Sequence, residues 1–374
     1  GDSIELVRRL NLQKTIMGGL KKASPPEVEN YIKGIKEKGL KQVEGVGLDS
    51  KFEVDLVKDM DTLLTNMRTQ LKKDPISFAA KTGVLKNFVP IDFDDPSNLA
   101  ETLDLRLMQA QKVGARYENP IKYFTQDELM AVTAKLQEST ADQKIALFAQ
   151  LNGAFGSKTK DVLVEMNQSG PAFAHVGGLL LLKNIKAATL AAGGFDLIKN
   201  KASQVEYTST LVVPDYNSIT RTSLTELAAS VKSSGITVTE AIYKKLADEK
   251  GIVTYDSTLF EQAVQLSFGG VYDGDELING GIQTINDHPT LLPPSLNANQ
   301  FEDMIEVLEP ANFEADVDPS LIENIKDGDF NFYAIGNGIY RLGRGKKGTE
   351  SFQYAQDVNG NELVLNALDF FGQE

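Results

Sequence analysis

One stripe of apolar positions runs from residue 56 to residue 71. Apolar side chains recur there at intervals of three and four, and polar or charged side chains fill most positions between them. The apolar positions are Leu56, Met60, Leu63, Leu64, Met67 and Leu71. Because an α-helix turns once every 3.6 residues, this spacing puts these side chains on one face. The pattern therefore predicts an amphipathic helix with a buried apolar face and a charged back.

Helix start signals recur along the first three-quarters of the chain. In a capping box, an N-cap side chain and an acid or amide three residues later satisfy each other's backbone N–H groups. Such pairs precede apolar runs at Thr125 with Glu128, Thr140 with Gln143, Ser223 with Glu226, Thr258 with Glu261, and Asn299 with Glu302. A proline follows a capping residue at Ser24–Pro25, Asp95–Pro96 and Asp318–Pro319. Together these signals predict many short helices.

The end of the chain changes to a strand-like pattern. Aromatic and β-branched runs flank the Gly-Asn-Gly at 336–338, and a second pair of such runs flanks Asn359 and Gly360. Asn-Gly between such runs is a strong hairpin signal, because the turn needs residues with positive φ. We predict two consecutive hairpins, and hence a small antiparallel β meander. The predicted fold class is mainly α, multi-helical with short helices, with this meander at the C-terminus.

An apolar stretch covers residues 166–195. Its uncharged part, from Met166 to Leu182, is 17 residues long and contains a proline and three glycines. A membrane-spanning helix needs about 20 apolar residues, and Lys183 and Lys186 interrupt the run. We therefore favour a buried core helix, with membrane contact through residues 166–195 as the less favoured alternative.

Changes in composition divide the chain into four predicted parts. They are an N-terminal helical segment at 1–74, a helical domain at 75–215, a second helical group at 216–325, and a small β-hairpin domain at 326–374. The second helical group includes a long acidic loop at 272–294. Two further connections are predicted where Gly, Pro and polar residues cluster, a loop at 44–50 and a linker at 212–223.

The charge balance argues against one class of partner. The 374 residues include 52 Asp and Glu against 38 Lys and Arg, so the net charge is −14. Proteins bind nucleic acids largely through Lys and Arg that replace counterions on the phosphate backbone. A nucleic-acid partner is therefore not expected. The chain also has no cysteine, which excludes disulfides, thiolate catalysis and cysteine-ligated zinc.

The sequence GRGKKG at 343–348 matches G-x-G-x-x-G, the pattern of dinucleotide-binding turns. In those folds the glycines follow a strand and open a helix, whose N-terminus holds the pyrophosphate. Here the residues after the glycines, TESFQYAQ, indicate another strand. We interpret the motif as a basic connector between the two hairpins and predict no cofactor. The motif cations Arg344, Lys346 and Lys347, together with Arg341 just before the motif, could still contact an anionic partner.

The acidic loop holds a second candidate group: Asp273, Asp275, Asp287 and His288. Carboxylates and an imidazole suit a divalent cation, but the spacing is not that of a calcium loop, D-x-[DN]-x-[DN]-G with Glu at its twelfth position. We interpret these residues as parts of solvated turns and predict no metal. No nucleophile-elbow or metalloprotease motif occurs, so no catalytic residue is predicted. His175 is predicted to lie in a helix, partly buried and hydrogen-bonded.

Several long segments follow one another in a characteristic order. NLAETLDLRLMQAQKVGARYENPIKYFTQDELMAVTAKLQESTADQKIALFAQL combines a helix ending near a tyrosine, a proline-containing turn and two further helices. FEQAVQLSFGGVYDGD, TLLPPSLNANQFEDMIEVL and AIGNGIYRLGRG follow, and then a second hairpin. These segments, over roughly residues 70–368, resemble in pattern and order the C-terminal region of large virion proteins of tailed phages.

The resemblance implies a function and a location, but transfers no catalytic residue. Such proteins are internal or ejected components of the virion, often with a lytic transglycosylase domain elsewhere in the same chain. We therefore expect a non-enzymatic structural or delivery role in the virion interior, with delivery into the host cell envelope during infection. The expected partners are other virion proteins or copies of this chain. The alternatives are part of a peptidoglycan-degrading virion enzyme and an ejected protein that contacts the membrane.

Overall fold

A computed structural model of the chain describes residues 2–40 and 50–371. The chain divides into two compact units, residues 1–135 with 150–165, and residues 136–149 with 166–374. The four parts expected from the sequence stay a prediction about domains. In the predicted loop at 44–50, residues 44–49 lie outside the described residues. The predicted fold class is confirmed: the chain is mainly helical, with small antiparallel sheets near the C-terminus.

All regular secondary structure in the described residues of the first unit is helical. Its helices are α1 Asp2–Leu20, α2 Pro25–Lys38, α3 Ser50–Lys73, α4 Pro75–Lys81, α5 Leu99–Tyr117, α6 Gln126–Glu138, α7 Ala141–Phe155 and α8 Thr159–Met166. The unit includes α6 as far as Lys135, α7 from Gln150 onward, and α8 as far as Glu165.

The predicted amphipathic helix is α3. Its buried positions are Leu56, Met60, Leu64, Met67 and Leu71, while Leu63 lies partly exposed at the edge of the stripe. Helix α2 contacts α3 and buries Val28, Ile32 and Ile35. Burying one such side chain stabilises a fold by about 1.5–3 kcal/mol relative to leaving it exposed. The α2–α3 pair is therefore held together mainly by its apolar stripes.

The second unit combines helices with short strands. Its further elements are α9 Pro171–Leu181, α10 Ile185–Lys199, α11 Ser209–Thr220, α12 Ala229–Lys250, α13 Ser257–Ser267, β1 Val271–Asp273, β2 Glu276–Asn279, β3 Gly281–Ile285, β4 His288–Leu292, α14 Ala298–Glu306, α15 Pro319–Lys326, β5 Asn331–Gly336, β6 Ile339–Arg344, β7 Gln353–Tyr354 and β8 Val364–Asn366.

The apolar stretch at 166–195 is largely buried, as predicted, although Ile185 is 63% exposed. Most of the stretch forms two helices, α9 and α10, and not one. The break falls at Lys183, whose φ is 59°. Asn184 then caps α10 by accepting a hydrogen bond from Ala187 N at 3.2 Å, and it donates to Gly270 O at 2.9 Å. Within residues 2–40 and 50–371, no helix combines the length and apolar character needed to cross a bilayer.

Helices α10 and α12 pack closely at Gly194. A Cβ atom at this position would lie 1.8 Å from the carbonyl oxygen of Ala241 on α12. Any other residue type would therefore force the two backbones apart. Ala241 and its neighbour Ile242 are fully buried at this contact, so the approach of α10 to α12 forms part of the core of the second unit.

The C-terminal sheet contains the two predicted hairpin turns. Strands β5 and β6 pair antiparallel around Gly338, whose φ is 68°. Beyond β6, the chain turns again at Gly360, whose φ is 84°. Strand β7 pairs with one end of β6 and strand β8 with the other. The sheet therefore differs from a simple meander, because both arms of the second hairpin pair with β6.

The predicted helix starts are partly confirmed. The confirmed ones are Ser24 before Pro25, Thr125 with Glu128, Thr140 with Gln143, and Asp318 before Pro319. The wrong ones are Asp95 before Pro96, Ser223 with Glu226, Thr258 with Glu261, and Asn299 with Glu302. Helices α13 and α14 are capped two residues earlier, by Asp256 and Asn297. The Asp95 carboxylate instead accepts from Ser97 N within a turn.

The predicted acidic loop at 272–294 is wrong, because this segment forms two short hairpins, β1–β2 and β3–β4. A side chain from α13 forms further hydrogen bonds to strand β3 of the second hairpin. Gln265 donates to Ile282 O at 3.0 Å and accepts from Ile282 N at 2.6 Å, as a neighbouring strand would. Gly281, with φ of 68°, leaves room for that amide, since a Cβ there would lie 2.5 Å from Gln265 Oε1.

The predicted linker at 212–223 is also wrong over most of its length, because residues 209–220 form α11 with Pro214 inside it. Proline removes one helical hydrogen bond, which is why it indicated a break. The buried side chains of Val212, Tyr216 and Thr220 recur every four residues along one face. Their burial outweighs the lost bond.

Candidate functional site

The GRGKKG motif closes strand β6 and begins the connector to β7. After it the chain makes tight turns, in which Thr349 N donates to Lys346 O at 3.2 Å and Phe352 N donates to Thr349 O at 3.1 Å. Strand β7 follows at residue 353. The motif thus lies between two strands and opens no helix that could hold a pyrophosphate.

Packing and backbone conformation require glycine at the first two glycine positions of the motif. A Cβ at Gly343 would lie 2.6 Å from the Phe352 ring and 2.8 Å from the Tyr333 ring. Gly345 has a φ of 84°, and a Cβ there would lie 2.5 Å from Ser351 O. The absence of side chains at these positions therefore lets two aromatic rings and one turn pack against the backbone.

Arg341 and Arg344, which are predicted to contact an anionic partner, each form ion pairs with acidic residues of this chain. Arg341 Nη1 lies 3.1 Å from Glu226 Oε2, and its Nε lies 3.2 Å from Glu362 Oε2. Arg344 Nη2 lies 3.0 Å from Asp329 Oδ2 on an exposed part of the surface. An external anion would compete with these carboxylates for both guanidinium groups. That these cations contact an anionic partner stays a prediction.

The two lysines of the motif lie in different surroundings. Lys346 is exposed to solvent. The Lys347 ammonium nitrogen instead lies 4.6 Å from the centroid of Tyr333, 5.3 Å from that of Phe352 and 5.4 Å from that of Tyr354. It also forms an ion pair with Glu226. We call these three rings and the Glu226 carboxylate the Lys347 cage.

Glu226 is the electrostatic centre of the Lys347 cage. Its side chain is only 12% exposed. It accepts a hydrogen bond from the Tyr354 hydroxyl at 2.7 Å, and it pairs with both Arg341 and Lys347. The sequence pattern assigned this carboxylate to a helix cap with Ser223. Helix α12 begins only at residue 229, so Glu226 is free to bind these partners.

His288 lies behind one wall of the cage. Its ring packs edge-on against Tyr333 with 5.1 Å between centroids, and its Nε2 lies 2.9 Å from the Thr222 hydroxyl oxygen. Burial lowers the pKa of His288, so the ring is neutral at pH 7. His288 therefore supports Tyr333 by packing and adds no positive charge beside the cage.

The other metal candidates occupy hairpin turns. Asp273 ends β1, and Asp275 lies in the β1–β2 turn, where it pairs with Lys250 at 3.0 Å. Asp287 belongs to the β3–β4 turn with a φ of 59°. Among the residues that the structure describes, no group of three or more His, Asp or Glu is arranged to hold a metal ion.

A buried ion pair lies in the first unit. Arg106, on α5, pairs with Glu128, on α6, and their side chains are 1% and 4% exposed. Arg106 also donates to Val89 O at 3.1 Å. Glu128 accepts from the backbone N–H groups of Ile91 at 2.8 Å and Thr125 at 2.9 Å. The pair therefore fixes two loops to two helices.

A second buried cation lies in the other unit. The Lys144 ammonium group donates to Asp196 Oδ1 at 2.7 Å and to Ser139 O at 2.5 Å. The other Asp196 oxygen accepts from Ala141 N at 2.6 Å. This carboxylate therefore binds the first turn of α7 to the last turns of α10.

Glu165 is a buried carboxyl whose titration is shifted. It accepts hydrogen bonds from Tyr123 N at 2.7 Å and Phe124 N at 3.2 Å. Burial raises its pKa to about 7, and these two bonds, which favour the ionised form, only partly offset the effect. The carboxyl holds a loop in place and is protonated more readily than an exposed glutamate.

The titration of Glu165 is expected to make the first unit less stable as the pH rises from about 4.5 to about 7. In that window the folded state binds more protons than the unfolded state. The free energy of unfolding should therefore fall by up to about 1.4 kcal/mol per pH unit from this group alone. Urea denaturation at a series of pH values measures the slope. E165Q should flatten it and the exposed control E101Q should not; equal slopes in the three proteins would contradict the assignment.

His175 behaves as predicted for a structural histidine. Its Nε2 lies 2.7 Å from Ser267 O, and a carbonyl only accepts, so Nε2 carries the proton. Its Nδ1 lies 2.9 Å from the Ser234 hydroxyl oxygen. Burial lowers the pKa of His175, which favours the neutral ring. Both nitrogens thus join α9 to α12 and α13.

Neither family models, nor curated proteins, nor solved structures gave a match to this chain.

Proposed function

We propose that this chain is a non-enzymatic structural part of a tailed-phage virion, an internal protein that is delivered into the host envelope at infection. Its first support is the order of its segments over roughly residues 70–368, which resembles the C-terminal region of such virion proteins.

The observation that carries the proposal is the use that the fold makes of its buried ionisable side chains. Arg106, Glu128, Lys144 and Glu165 each bind backbone groups at loops or helix ends. A catalytic acid or base needs to reach a substrate proton from within a cleft. Side chains that bind backbone groups in this way stabilise the fold, as expected of a structural protein.

An exposed apolar face supports protein partners. On α1, the side chains of Ile4, Leu6, Val7 and Leu10 are between 54% and 63% exposed. Contiguous apolar side chains on a surface helix are typical of protein–protein contact. In a virion the partners would be other internal proteins or copies of this chain.

Mass spectrometry of purified virions tests the location. Peptides from this chain should be found in virions that have been freed of host debris, and they should be lost from particles that have ejected their contents. Virions without these peptides would contradict the proposal.

A peptidoglycan zymogram tests the enzymatic alternative. The chain alone should leave the gel unlysed, with a lytic transglycosylase as the positive control. A cleared band from this chain would favour part of a peptidoglycan-degrading enzyme.

Flotation with liposomes tests the alternative of membrane contact by the ejected protein. The chain should remain at the bottom of the gradient at neutral and acidic pH, because residues 173–192 supply buried side chains of α9 and α10. Co-flotation would favour membrane contact.

A further inference from the structure

The Lys347 cage has the composition of a site for an ammonium group. Three aromatic rings lie within 5.4 Å of the Lys347 nitrogen, measured to their centroids. The faces of such rings carry negative partial charge and attract cations. Glu226 adds a full negative charge at the same point. Three rings and a carboxylate together select for a cationic ammonium group far more specifically than one exposed acid does.

The walls of the cage are positioned by contacts that do not involve Lys347. The Phe352 ring packs edge-on against both Tyr333, at 5.8 Å, and Tyr354, at 5.0 Å. The Tyr354 hydroxyl donates to Glu226, and Arg341 holds the other oxygen of that carboxylate. The cage would therefore keep its shape when its present occupant leaves.

The occupant itself is attached to a surface connector. Lys347 lies between two glycines with positive φ, Gly345 at 84° and Gly348 at 87°. Its side chain is 22% exposed, so the cage opens to solvent. A change in the connector alone could withdraw Lys347 without disturbing the strands on either side.

The walls suit a methylated ammonium group better than a primary one. A lysine ammonium has three N–H donors, and among the residues that the structure describes only Glu226 and the Tyr354 hydroxyl, at 3.1 Å, accept from it. The other surfaces that face it are rings. A quaternary ammonium has no N–H group to satisfy, and its methyl groups make favourable contact with aromatic faces.

We propose that the Lys347 cage is a binding site for methylated ammonium groups, with Lys347 as the internal ligand that an external one displaces. This assignment is independent of the proposed virion role. Because Lys347 is tethered, it competes at an effective concentration of about the millimolar order. An external ligand binds well only when it exceeds that level or when Lys347 is removed.

Titration of purified variants of this chain with tetramethylammonium chloride tests the site, with saturation-transfer NMR of the methyl protons as the readout. K347A should bind the ion about tenfold or more tightly than wild type, because the tethered competitor is gone. K346A, which removes the neighbouring exposed lysine, should bind as wild type does. E226Q in the K347A background should weaken binding again. Equal affinity in K347A and K346A would overturn the proposal.

A second measurement uses the wild-type protein and does not depend on any variant folding. Acetic anhydride at low dose acetylates exposed lysines, and peptide mapping by mass spectrometry compares Lys347 with Lys346 in each molecule. Lys347 should react more slowly than Lys346. Tetramethylammonium chloride should raise the Lys347 to Lys346 ratio by about threefold or more over sodium chloride of equal concentration, as expected for displacement of a tethered ligand. An equal ratio in both salts would overturn the proposal.

Discussion

Replacing Arg106 by alanine is expected to lower the free energy of unfolding of the first unit by about 3–5 kcal/mol, because a buried carboxylate then loses its partner. Glu128 is 4% exposed and cannot recover solvent contact. The substitution also removes donors from Val89 O and Tyr123 O. A buried acceptor that loses its hydrogen bond adds to the cost.

Urea denaturation of wild type and R106A, followed by circular dichroism, measures this loss. The matched control is R68A, because Arg68 and Glu29 form an ion pair whose side chains are 54% and 48% exposed. Removing an exposed pair should cost about 1 kcal/mol or less. If R106A and R68A lost the same free energy, the buried pair would not hold the loops as described.

Replacing Gly194 by alanine is expected to destabilise the second unit by about 1–3 kcal/mol or more, because the new methyl group overpacks the core. A Cβ at Gly194 would lie 1.8 Å from Ala241 O, and backbone cannot move away as a flexible side chain can. Glycine to alanine in a helix interior is otherwise favourable by about 1 kcal/mol. The expected result thus has the opposite sign to helix propensity.

Thermal and urea denaturation of G194A and G178A provide the comparison. Gly178 lies on α9 in the same unit, and a Cβ there would meet nothing within 4 Å. G178A should therefore raise the free energy of unfolding by up to about 1 kcal/mol, as helix propensity predicts. Stabilisation by both substitutions would contradict the close approach of α10 to α12.

The features that could be predicted from the sequence are those that depend on neighbouring residues. The stripe on α3 follows from a period of 3.6, and the hairpin turns at Gly338 and Gly360 follow from residues that accept positive φ. The capping pairs locate a helix start less precisely than these two patterns locate their elements, because polar side chains are frequent near helix starts. Asp256 and Asn297 cap their helices although residues two positions later also fit the pattern.

The candidate site could not be predicted, because its parts are far apart in the chain. Glu226 meets Arg341 across 115 positions and Tyr354 across 128. Local pattern assigned Glu226 to one backbone N–H, whereas three side-chain donors bind it in the fold. Lys346 and Lys347 look equivalent in the sequence, and only the positions of three rings distinguish them. Strands β3 and β4, which pair directly with each other, were also missed, and the bonds from Gln265 on α13 to Ile282 on β3 span 17 positions.

The glycines at 343 and 345 also show what a motif can and cannot encode. In a dinucleotide-binding turn, the second glycine lets the backbone approach a pyrophosphate. Here Gly345 lets the backbone approach the Ser351 carbonyl, and Gly343 admits the rings of Phe352 and Tyr333. The same glycine pattern thus indicates that another group approaches the backbone closely, but it does not indicate whether that group is a ligand or another part of the chain. Pattern searches for cofactor sites will therefore return β-connectors of this kind alongside true nucleotide-binding turns.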